Sequence, residues 1–181
     1  IAEHVMDTSH GKRSCFLDLG VAQDAAQLKA LVKGADVFSQ GYRPGMIGQL
    51  GFGPEQVAAI RPGIVYTTIS CYGADGPFSH RGGWEQVAQT VTGICHDNNP
   101  QRPHLLPAAA CDYTTGYLAA YGVMLALARR AQEGGSYLVR VSLCQSGMFI
   151  QRQGMLAQSP APGLDLSAAE LDQIRIETVP A

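Results

Sequence analysis

The run Ile64-Val65-Tyr66-Thr67-Thr68-Ile69-Ser70 constrains this chain more than any other stretch. It is β-branched and aromatic, entered through Pro62-Gly63 and left through a glycine-rich loop. Stiff side chains of this kind pack well on a pleated surface, so the run predicts a strand. Its neighbours decide what sheet it joins. Ala35 to Ser39 and Ser136 to Ser142 are further apolar or alternating runs of strand type, and Ser14 to Leu19, ending at Gly20, predicts a strand that opens the fold. Between them, Ala22 to Lys33 places Ala25, Leu28, Leu31 and Val32 on one helical face before Gly34. Pro54 to Ile60 starts with proline at the first helical position and an acid behind it. Trp84 to Val91 and Cys144 to Leu156 are further predicted helices, and Asp97 to Pro107 reads as loop, with His96 a loop residue beside it. Strand, helix, strand, helix, strand is the order of an α/β fold, a parallel sheet with covering helices.

The segment Ala108-Ala109-Ala110-Cys111-Asp112-Tyr113-Thr114-Thr115-Gly116 leads into the longest predicted helix, Thr114 to Ala131, which closes on Arg129-Arg130 and Gly134-Gly135. Asp112 thus stands at or just before a first helical turn. Unpaired N–H groups and the positive end of the helix dipole favour a carboxylate there, and could also steady negative charge on a substrate oxygen. Two readings follow: a helix N-cap, or a carboxylate nucleophile.

Composition narrows the function classes. The 181 residues are 46% hydrophobic and 15% charged, with a net charge of -2, so the chain is globular and has no basic field for nucleic acid. Cys15, Cys71, Cys95, Cys111 and Cys144 are odd in number and contain no CxxC pair, which predicts reduced thiols in a cytoplasmic protein and neither disulfides nor a metal site. The apolar stretch from Thr115 to Ala128 is shorter than a membrane span. No G-x-G-x-x-G follows a strand, so no nucleotide redox cofactor is indicated. Ser159-Pro160-Ala161-Pro162-Gly163 is a linker, and Ser167-Ala168-Ala169-Glu170 is a capping box before a short helix. Residues 1–157 are accordingly expected to form one domain, and residues 158–181 a linker and the start of a second.

Ordered motifs along residues 9 to 150 resemble the class III (CaiB/BaiF-type) CoA-transferases, a family that also includes α-methylacyl-CoA racemase. They are His10-Gly11-Lys12-Arg13-Ser14, Leu17-Asp18-Leu19, Ala35-Asp36-Val37, Tyr42-Arg43-Pro44-Gly45, Leu50-Gly51-Phe52, Gly73, Gly76-Pro77, Glu85-Gln86-Val87-Ala88-Gln89, Asp112 to Gly116, and Val139 to Leu143. The resemblance implies a Rossmann-like large domain, an acyl-CoA substrate with no tightly bound cofactor, and Asp112 as a nucleophile that is acylated and passes CoA on to a carboxylic acid. It implies CoA contacts from Leu17, Asp18, Leu19 and Gly20, from Gly41, Tyr42 and Arg43, from Gln49, and from Gly82, Gly83, Trp84 and Glu85. Lys12, Arg13, Arg43 and Arg81 are candidate phosphate partners, each weighed against an ordinary solvated charge. Tyr42 and Trp84 either flank the ligand or belong to the core.

Three departures from the family pattern are visible. Gly41 stands where many members carry Asn. Trp84 stands where the racemases carry a proton-transferring His, which argues against a two-base isomerase. The family's amino-terminal strand and helix and most of its small domain have no counterpart, so the chain is expected to be a fragment or one half of a longer protein. Members form interlocked dimers, and a homodimer or association with the missing segments is expected. Competing with transfer are a 2-methylacyl-CoA racemase and a non-catalytic CoA-binding or dimer-supporting segment. The acyl group and the acceptor are not encoded in any motif.

Overall fold

The structure, a computed structural model, describes residues 8–154 and 167–174. Among the described residues the sheet holds three strands, β1 (Val37–Gln40), β2 (Val65–Ser70) and β3 (Tyr137–Ser142), in the order β1-β2-β3 and all parallel. Val37 is opposite Val65, and Val65 is opposite Tyr137, so the three strands end close together at Gln40, Ser70 and Ser142.

Side chains alternate across a pleated strand, which assigns each face a layer. Phe38 and Tyr66 lie on one face, with ring centroids 5.3 Å apart. That face is covered by α1 (Ala22–Lys33), α2 (Met46–Gln49) and α3 (Pro54–Ile60) through Val32, Ile47 and Val57, with Phe52 and Ile64 from the connecting segments. Phe52 and Val57 are fully buried, each worth about 1.5–3 kcal/mol against exposure. Tyr66 keeps its hydroxyl paired by donating to Phe52 O at 2.9 Å. Val139, one residue out of phase, faces the long helix α6 (Ala110–Glu133). There Gly122 admits the strand so closely that a Cβ on it would lie 2.8 Å from Val139 Cγ1. Between β2 and α6 run α4 (Glu85–Val91) and α5 (Ile94–Asn98), and β3 passes directly into α7 (Leu143–Arg152). Cys71, Ala88, Ile94, Cys111 and Leu143 form the second core beneath these helices. A last helix, α8 (Ala168–Ile174), starts at the expected capping box, where Ser167 N–H and Oγ both reach Glu170 Oε2.

Three expectations are corrected. Residues 14–19 form no strand: the segment is irregular, Phe16 is 89% exposed, and no neighbour among the described residues supplies the ladder an extended run needs. His96 and Asp97 belong to the short helix α5, not to a loop. Asp112 is not an N-cap, because α6 begins two residues earlier and Ala109 takes the cap position. The boundary expected at residue 157 and the linker through Gly163 lie outside the described residues. No helix among the described residues is long and apolar enough to cross a membrane.

Candidate active site

The site is assembled at the carboxyl ends of the strands, the edge at which open α/β sheets bind ligands. Gln40 closes β1 and organises the loop after it. Its Nε2 donates to Thr68 Oγ1 on β2 at 2.8 Å, and its Oε1 accepts the Tyr42 N–H at 2.8 Å. The next residue, Arg43, lies along Gly82, where a Cβ would come 2.8 Å from its Nε. Arg81 stacks on Phe78, its guanidinium carbon 4.4 Å from the ring centroid. Neither Arg43 nor Arg81 forms an ion pair among the described residues.

Among the described residues, two of the cavities at this edge bear on Asp112. One of about 330 Å³ is lined by Gly41, Tyr42, Arg43, Arg81, Gly82 and Gly83, with Cys71 and Leu143 at its base. The other, about 1070 Å³, has Leu105, Leu106, Pro107, Tyr113 and Tyr117 among its walls. Trp84 and Asp112 line both, so the two spaces meet at these residues. Gly83 permits this arrangement, since a Cβ there would lie 2.4 Å from Cys71 Sγ.

Asp112 occupies the third helical position of α6 and is solvent-accessible. The first turn is capped from outside the helix. Glu85, 6% exposed, accepts the Cys111 N–H on Oε1 at 3.0 Å and the Asp112 N–H on Oε2 at 2.6 Å. Gln89, one turn along α4, donates from Nε2 to Glu85 Oε1 at 2.5 Å. Two of the N–H groups that the sequence offered for a substrate oxygen, those of Cys111 and Asp112, are therefore already engaged by Glu85. Partial burial, and then the Glu85 charge, raise the Asp112 pKa above its ordinary value. Burial likewise pushes the Cys71 and Cys111 thiols up to about 12, which removes them as competing thiolates at neutral pH. Thr115 Oγ1 lies 2.6 Å from Cys111 O and 2.7 Å from Ser146 Oγ, tying this turn to α7.

Of the residues singled out in the sequence, Gly41, Tyr42, Arg43, Gly82, Gly83, Trp84 and Asp112 come together in one cavity. Leu17, Asp18, Leu19, Gly20 and Gln49 line neither cavity. Asp18 Oδ1 instead accepts the Gly20 N–H at 2.9 Å, Leu19 packs on the first core, and Gln49 ends α2. Glu85 lines the larger cavity, but its carboxylate points to the start of α6. Gln89 was not among the expected site residues. The signal available for it was its place four residues after Glu85, on the same face of a helix. Among the described residues no group of three or more His, Cys, Asp or Glu is placed to hold a metal ion.

Fold and site together define an open-sheet α/β protein with a carboxylate at a helix start, facing a cleft at the strand ends. The chain belongs to CoA-transferase family III, matching it over residues 3–172. It is 37% identical over 154 residues to the acetyl-coenzyme A transferase nodX of Hypoxylon pulicicidum, covering 81% of this chain and 26% of that protein. It is 30% identical over 148 residues to the succinyl-CoA:glutarate CoA-transferase of Mus musculus, covering 79% of this chain and 33% of that protein. In structure it is similar to a CAIB/BAIF family protein from Brucella suis, with a TM-score of 0.75 and 26% identity over 79% of this chain and 38% of the other. The chain thus spans less than half the length of these relatives.

Proposed function

We propose that the protein containing this chain transfers CoA from an acyl-CoA thioester to a carboxylic acid through acylation of Asp112. The observation that carries the reading is the position of Asp112 on the wall shared by a largely apolar cavity and a cavity with two guanidiniums that form no ion pair among the described residues. Arg43 and Arg81 suit the phosphates of CoA, the former with Tyr42 beside it, and the glycine backbone of residues 82–83 lets a ligand approach closely. Gly41, Gly82, Gly83 and Trp84 complete that binding surface, and the apolar cavity takes the acyl group.

The chemistry balances in four steps. The Asp112 carboxylate attacks the thioester carbonyl, forming an acyl-aspartyl anhydride and expelling CoA thiolate. The thiolate attacks the aspartyl carbonyl, which releases the donor acid and leaves a thioester on Asp112. The acceptor carboxylate attacks that thioester, giving a second anhydride and freeing the thiolate again. The thiolate then takes the acceptor's acyl group and restores the Asp112 carboxylate. Covalent catalysis divides one difficult exchange into easier ones.

The exposed apolar side chains of Tyr117, Tyr121, Met124 and Leu125 on α6 support a covered face, either by a second copy or by the remainder of a longer protein. A cytoplasmic location fits the free cysteines. Asp112→Asn tests the mechanism, with CoA binding followed through the fluorescence of Trp84, the single tryptophan of the chain. Loss of transfer with retained CoA binding is the expected result. Normal turnover by the variant would refute the covalent route, and CoA binding without transfer by the unsubstituted protein would favour a binding segment.

A further inference from the structure

We propose that Gln89 is a positioning residue for Asp112, its amide holding both the Glu85 carboxylate and the approach to α6 in the arrangement that presents Asp112 to the cleft. The inference rests on the reading of Asp112 as the acylated residue.

Gln89 is 1% exposed, and its amide is fully engaged. Nε2 donates to Glu85 Oε1 at 2.5 Å and to Ala108 O at 3.1 Å, and Oε1 accepts the Leu106 N–H at 2.8 Å. A buried amide costs free energy unless its partners are all present, so a helix seeking stability alone would carry an apolar residue at this position. Here each partner leads to Asp112. Leu106 and Ala108 belong to the segment that delivers the chain to the Ala109 cap. Glu85 holds the N–H groups of Cys111 and Asp112. One side chain therefore connects the two structures that fix where Asp112 stands and which charge it faces. Among the described residues, the other titratable or charged groups around Asp112 include Cys111, Tyr113 and Tyr117 on α6, Cys71 after β2, Cys144 on α7, and Tyr42, Arg43 and Arg81 lining the smaller cavity. None of these touches the Gln89 amide in the hydrogen bonds above.

Substitution by glutamate separates positioning from bulk. A protonated glutamate at this position can still donate to Glu85 Oε1, whereas loss of that proton at higher pH sets two carboxylates against each other and breaks the contact. In the full chain, Gln89→Glu is expected to acylate Asp112 near the wild-type rate at low pH. The rate should then fall below the wild-type rate at the same pH as pH rises, with KM for acyl-CoA held within about twofold. Gln89→Leu, which cannot donate at any pH, is expected to lose about tenfold to a hundredfold in acylation rate at every pH, as misplacement of a reacting group does. Rates are read as hydroxamate formed on the Asp112 peptide, and folding by circular dichroism. A folded Gln89→Glu variant with the wild-type rate and pH profile would overturn the proposal, even if Gln89→Leu failed to fold. Absence of acylation in the wild type would instead overturn the underlying assignment of Asp112.

Discussion

Glu85 caps the helix that carries Asp112 from 27 residues upstream, its Oε2 accepting the Asp112 N–H at 2.6 Å. A carboxylate at a helix amino terminus is stabilised by the dipole, and this one places a negative charge beside a second carboxylate. Glu85→Gln removes that charge and leaves burial as the cause of the raised Asp112 pKa. The acid limb of the transfer rate is expected to move to lower pH in the variant, read from kcat between about pH 4 and pH 7. An unmoved limb would show that the Glu85 charge does not act on Asp112.

The same shift carries a stability signature. A carboxyl whose folded pKa is raised contributes stability that is full below its unfolded pKa and is lost as pH rises through the folded value. In urea unfolding, the contribution of Asp112 is therefore expected to decline from about pH 4 upward, and Asp112→Asn should flatten that decline. An identical slope in the variant would contradict the shift.

Gly83→Ala would drive a Cβ to 2.4 Å from Cys71 Sγ and 2.8 Å from Cys71 Cβ, inside a buried core that cannot yield cheaply. The loop carrying Trp84 must move, and affinity for CoA is expected to fall about tenfold or more, measured by quenching of Trp84. Gly82→Ala meets the flexible side chain of Arg43 at 2.8 Å and should cost less folding stability, although it displaces a guanidinium assigned to CoA. Equal losses of stability from both substitutions in urea unfolding would show that Cys71 is not the constraint.

Gly122→Ala sets two effects in opposition. Alanine in a helix interior is worth up to about 1 kcal/mol over glycine, but its methyl would stand 2.8 Å from Val139 Cγ1. Overpacking of this kind costs about 1–3 kcal/mol, so a net loss of stability is expected. Val139→Ala should recover part of it in a double-mutant cycle. A stabilised single variant would mean that α6 and β3 separate freely.

The sheet was legible because its strands are short β-branched or alternating runs between clear stops, and α1 and α3 carry both periodicity and punctuation. Residues 14–19 have the same local look as β1, yet a strand exists only where a ladder partner does, and local sequence does not report that. Met46–Gln49 and Ile94–Asn98 are too short to show a helical period. At the site, Asp112 and the loop of residues 82–84 were readable as motifs. The true cap of α6 was not, because it comes from Glu85 on another helix and is a product of packing. The role of Gln89 was hidden for the same reason: besides Glu85, its partners lie 17 and 19 residues away in the chain.

The most direct measurement is peptide mass spectrometry after incubating the protein with a panel of acyl-CoAs and hydroxylamine. An activated acyl-aspartate is expected to appear as a hydroxamate on the peptide containing Asp112, and the donor that gives it identifies the acyl group. CoA binding with no label from any donor would contradict Asp112 as the nucleophile.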